Sequence, residues 1–190
     1  MPMPSLDRSP RFTARCGLLL CLALIFSYLE VRLPLVFIPI PGFKPGFANL
    51  VIAFTAYTCG CPTAAVISVL RVLISSMLFG SVTGFWFSIA GAGASLLIMT
   101  VLLHTVRRYV SPLGICVASA AAHNIGQLTA ASVLLSPAVF SYFPVLMAAS
   151  LFTGTLTGFL LGRLLHSAER IPLLRHISPP DCPPTKKGSQ

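Results

Sequence analysis

Three groups of polar residues in an otherwise apolar chain carry the chemistry that this sequence offers. Arg71 stands near the middle of the run AAVISVLRVLISSMLF. A guanidinium stays charged and presents five N–H donors in a planar fork, so it needs a carboxylate, carbonyls or an anionic ligand. Glu30 is the acidic residue placed to meet it, because Asp7, Glu169 and Asp181 fall in the tails. The pair reads two ways, as an ion pair that holds segments together or as a contact for an anionic substrate. The second group is His123, Asn124 and Gln127 in SAAAHNIGQLTAAS. Residues four apart share a helix face, so His123 and Gln127 point the same way with Asn124 beside them. Such a cluster either hydrogen-bonds a ligand or fastens helix to helix at roughly 1 kcal/mol per bond. The third group lies in PIPGFKPGFAN, where Gly42 and Gly46 permit close approach and Pro45 discourages helix at Lys44. Lys44 snorkels to lipid headgroups or closes over a substrate, and Asn49 caps or lines the following helix. Glu30, Lys44, Asn49, Arg71, His123, Asn124 and Gln127 are the candidate substrate-binding residues.

These residues make a poor catalyst. No nucleophile–base pair accompanies them, and one histidine with two amides is a weak ligand set for a metal. Cys59 and Cys61 flank Gly60 with no second Cys/His pair beside them, which favours a tight turn of small residues over a metal site. No GxxxxGK[ST] motif is present to bind ATP. The expectation is a protein that is not an enzyme and holds neither metal nor cofactor.

The elements that position these groups follow from composition. Of the 190 residues, 55% are apolar and 9% charged, against roughly 25% charged in an average soluble domain. A water-facing surface normally needs more charge than this, and a disordered chain needs less apolar content. The net charge of +9 is placed as a topology signal and not as a nucleic-acid face. Arg8, Arg11 and Arg15 stand before or at the start of the first apolar run, Arg107 and Arg108 separate two runs, and Arg163, Arg170, Arg175, Lys186 and Lys187 stand at the end of the last or after it. The predicted fold is an all-α polytopic membrane protein with six transmembrane helices, over about 12–29, 47–59, 62–79, 85–106, 112–135 and 140–165. Pro34, Pro39 and Pro41 stop the first helix and leave 31–46 as a loop folded over or into the bundle. Residues 1–11 form an N-terminal tail, 12–166 the transmembrane domain, and 167–190 a disordered tail. The first helix is retained, because no small-x-small cleavage site precedes Glu30. With six spans, ten of the 13 Lys/Arg fall on one side, so both termini are cytoplasmic and the protein sits in the cell membrane.

Small residues mark the packing faces. Gly154, Gly158 and Gly162 form a GxxxGxxxG ridge, and Ala118, Ala122, Gly126 and Ala130 form a stripe at spacing four. Ala23 and Ser27 form a shorter stripe, expected to face a partner membrane protein.

PIPGFKPGFANLV, LRVLISSMLFGS and AHNIGQL together resemble the Gx transporter family, also catalogued as heptaprenyl diphosphate synthase component I. That family is similar to the S components of energy-coupling factor transporters. The resemblance covers about 18–165 and implies a six-helix S-component-like bundle with a pocket near its outer side. It implies uptake of a small, anionic or amphipathic molecule, with a transmembrane coupling protein and two ATPases as partners. The alternative is a non-catalytic membrane subunit in isoprenoid or quinone metabolism, or in flavin-linked electron transfer. Prenyl diphosphate synthases hold Mg²⁺ with aspartate-rich motifs, and this chain has only Asp7 and Asp181, both in the tails.

Overall fold

The computed structural model describes residues 10–32, 47–79, 82–106 and 109–170. Among these, helix is the only regular structure. The helices are α1 (Pro10–Arg32), α2 (Phe47–Thr58), α3 (Cys61–Phe79), α4 (Val82–Thr105), α5 (Pro112–Leu134) and α6 (Phe143–Arg170), with a 3-10 turn at Pro137–Tyr142 before α6.

Each helix falls on an expected apolar run, and the ends differ. α1 continues through Glu30 to Arg32, short of Pro34. α6 continues past 165 to Arg170, so Ser167–Ala168–Glu169–Arg170 extend the helix instead of starting a tail. Alanine, glutamate and arginine are good helix formers, which explains the extra turn. The segment Leu33–Pro41, Lys44 and residues 171–190 lie outside the described residues.

Among the described residues, four segments are long and apolar enough to cross a membrane: Phe12–Glu30, Cys61–Leu78, Val82–Thr105 and Pro137–Ser167. At 1.5 Å per residue, the twelve residues of α2 reach about 18 Å, well under a ~30 Å hydrocarbon core. α5 is long enough, but its serines, His123, Asn124 and Gln127 lower its apolarity.

The bundle core follows helical periodicity. On α1, Ala23, Ser27 and Glu30 are buried at spacings of four and three, while Leu18 and Ile25 are exposed on the opposite face. On α3, Ala64, Ile67, Ser68, Arg71 and Val72 form the corresponding inward stripe. α2 is buried nearly all round, and it packs on α1, α3 and α6. A two-residue turn joins α2 to α3, with Cys59 N–H donating to Thr55 O (2.7 Å) and Ala64 N–H to Gly60 O (3.1 Å). Gly60 takes φ 92° there, which other residues avoid.

The widest interfaces are α4 on α5 and α5 on α6, and absent side chains make them so. A Cβ on Gly158 would stand 2.6 Å from Leu113 Cα, and one on Gly154 would stand 2.7 Å from Val117 Cα. On the other side of α5, a Cβ on Gly126 would meet Ala90 O at 2.6 Å. The backbones therefore touch, as small-residue ridges permit. Gly162 faces open space.

The expectation for Ala23 and Ser27 needs correction. Both are buried inside this chain, Ala23 fully, where α1 packs against α2 and α3. The small residues let α1 approach its own neighbours, so the stripe is spent on internal packing and is not an exposed partner face.

Candidate functional site

The first polar group assembles where α1, α2 and α3 meet, each packed on the other two. Helix arithmetic brings its members level. From the α2–α3 turn, Ala48 lies ten residues back along α2 from Thr58, and Arg71 lies ten residues along α3 from Cys61. Both positions are therefore about 15 Å from the turn. The inward stripe of α1 ends at Glu30 beside them.

Glu30 Oε1 accepts a hydrogen bond from the backbone N–H of Ala48 at 2.9 Å. Ala48 is the second residue of α2, so this N–H is one of the four at a helix start without an intrahelical partner. The carboxylate also meets the positive end of the α2 dipole. A side chain from another helix thus does the capping. Asn49 is half-buried one residue further into α2.

Arg71 is 6% exposed, and its Nε has no hydrogen-bond partner. It interacts electrostatically with Glu30. Among the described residues, these are the buried members of the Asp, Glu, Lys and Arg set. One carboxylate therefore answers both a helix N-terminus and a guanidinium.

The second group is held by other elements. His123, Asn124 and Gln127 are all buried in α5. Asn124 Nδ2 donates to Leu146 O of α6 at 3.0 Å, which is the helix-fastening role. His123 and Gln127 share a face, as their spacing requires, and both lie over Gly91 of α4. A Cβ at Gly91 would come within 2.7 Å of Gln127 Cγ and 2.9 Å of His123 Cε1. Further along the same interface, Ser95 Oγ and Ser119 Oγ are hydrogen-bonded at 2.7 Å. Glu30, Arg71 and the start of α2 thus gather at the contact of α1, α2 and α3, and His123 with Gln127 lies at the contact of α4 and α5. Lys44 lies outside the described residues.

Sequence reasoning missed three participants. Gly91 was visible only as part of the small run AGAGAS. The Ala48 N–H and the Leu146 carbonyl are backbone groups, which leave no mark in residue type. Among the described residues, no three or more His, Cys, Asp or Glu are grouped to hold a metal ion, and Cys16, Cys21, Cys59, Cys61 and Cys116 are free thiols.

No curated protein and no solved structure matches the chain. The family model described as heptaprenyl diphosphate synthase component I matches residues 19–164, more than three quarters of the sequence. That match begins within α1 and runs through both polar groups to the last turns of α6, and the chain belongs to the heptaprenyl diphosphate synthase component I family.

Proposed function

We propose that this protein is a membrane-embedded binding component, similar to the S components of energy-coupling factor transporters, that takes up a small anionic or amphipathic molecule. In this reading the chain crosses the cell membrane six times, with α2 covering only part of one crossing, both termini are cytoplasmic, and the chain does no catalysis itself. A transmembrane coupling protein and two ATPases supply the energy. The observation that carries the reading is Arg71, buried in the bundle with an N–H left without a partner. A buried guanidinium costs several kcal/mol unless something negative or strongly polar meets it. Glu30 meets it only while also capping α2, which leaves donor capacity for a ligand.

The family description favours a second reading. A "component I" belongs with another subunit, so the chain is then a non-catalytic membrane subunit in isoprenoid or quinone metabolism, or in flavin-linked electron transfer. The absence of aspartate-rich Mg²⁺-binding runs in the sequence agrees with a non-catalytic subunit.

Mass spectrometry of small molecules co-purifying with the detergent-solubilised protein tests the first reading. The wild type is expected to carry a small molecule, and Arg71→Met to lose most of it while still eluting as a compact species. Equal occupancy in both proteins would remove Arg71 from the site. A wild type that carries no small molecule but retains a second protein subunit would favour the second reading.

A further inference from the structure

We propose that the N-terminus of α2 and the Arg71 guanidinium form a carboxylate-binding site that Glu30 fills from within, and that a monocarboxylate ligand binds by exchange with Glu30. This rests on reading Arg71 as a ligand contact, and it names the chemical class that the contact selects.

Glu30 itself is the first observation. Its carboxylate already sits on the Ala48 N–H at 2.9 Å, at a helix end whose free donors and dipole favour an anion. Arg71 is the second. It is more than nine-tenths buried with its Nε–H unanswered, whereas buried N–H groups are nearly always paired. Nε and a terminal nitrogen form one edge of the guanidinium fork, whose parallel donors match the two oxygens of a carboxylate. Glu30 commits Oε1 to α2, and the Arg71 Nε–H is the unfilled donor of the site.

Charge selects among anions. The junction offers the full charge of Arg71 and about half a unit from the helix end, so one negative charge or two would leave about half a unit unbalanced. Desolvation decides between them, because burying a dianion costs far more than burying a single charge, and a singly charged, planar carboxylate also matches the fork. When the ligand takes the place of Glu30, it keeps Arg71 neutralised and frees the end of α1 from α2. Ligand binding and the α1–α2 tether then exclude each other.

The test uses acetate as the probe. Wild type, Glu30→Ala and the double variant Glu30→Ala/Arg71→Met are purified in detergent and titrated with sodium acetate, and thermal unfolding is followed. Acetamide, inorganic phosphate and sodium chloride of matched ionic strength serve as comparisons. Acetate is expected to stabilise Glu30→Ala at concentrations at least about tenfold below those the wild type needs, the scale of one charge-assisted hydrogen bond. Acetamide is expected to do nothing, and the double variant to lose the response. If Glu30→Ala does not fold, Glu30→Gln keeps an acceptor for the Ala48 N–H and carries the same comparison. An equal acetate response in wild type and variant overturns the proposal, as does a stronger response to phosphate. A co-purifying molecule that depends on Arg71 but has no carboxylate also overturns it, and leaves the binding-component reading standing. An acetate site in a protein that carries no small molecule does the reverse.

Discussion

Glu30 and Arg71 face each other across a junction where neither is fully satisfied by the other, and substitutions separate their structural and binding roles. Arg71→Met leaves Glu30 with its α2 partner but without its cation. The expected loss is about 3 kcal/mol or more if the pair holds the bundle together. Glu30→Gln added to Arg71→Met should then recover much of that loss, as a double-mutant cycle in thermal or denaturant unfolding would show. A purely binding role for Arg71 predicts a small loss of stability and no recovery. At the second group, Asn124→Ala removes the hydrogen bond to Leu146 O and is expected to cost about 1 kcal/mol in the same measurement. Gly91→Val is expected to cost more, because its side chain would run into His123 and Gln127. The chemistry of Arg71 was legible because a guanidinium in the middle of an apolar run has few options. Its arrangement was not, since the competing donor is the backbone of a residue 18 positions from Glu30.

Helix by helix, the apolar runs located every α-helix but not the 3-10 turn before α6, and the ends shifted where local propensity outlasted the run, as in the last turn of α6. The GxxxGxxxG ridge was also legible, but not which of its glycines are used. Sequence treats the three alike, whereas the fold presses Gly154 and Gly158 onto the α5 backbone and leaves Gly162 open. Gly158→Leu is therefore expected to prevent folding or lower stability by at least about 1–3 kcal/mol, while Gly162→Leu changes stability little. Thermal unfolding of the two purified variants checks this contrast. The reassignment of Ala23 makes a similar point. A small residue on a membrane helix shows that something comes close, and α1 alone does not show whether the neighbour is a partner protein or α2 and α3. Ala23→Leu is expected to weaken the bundle itself, because Ala23 has no exposed surface left to offer.

For the molecule as a whole, the proposed six spans with both ends on the cytoplasmic side predict that a reporter active only outside the cytoplasm stays silent when fused after Gln190. Strong activity there would require an odd number of crossings. The short α2 has a consequence of another kind. It brings a helix N-terminus, Glu30 and Arg71 to a level about 15 Å from the α2–α3 turn, which is about half of a ~30 Å hydrocarbon layer. With the α2–α3 turn at the membrane surface, as the proposed six-span topology places it, an anion that reaches this level in an energised membrane has crossed about half of the voltage drop. Moving one charge through the whole drop is worth about 2.3 kcal/mol per 100 mV, so half is about 1.2 kcal/mol. Apparent affinity for a singly charged ligand would then change by about sevenfold for each 100 mV applied, with no voltage-sensing helix. Ligand retention in vesicles clamped at different potassium diffusion potentials would show this dependence, and it would vanish for an uncharged ligand.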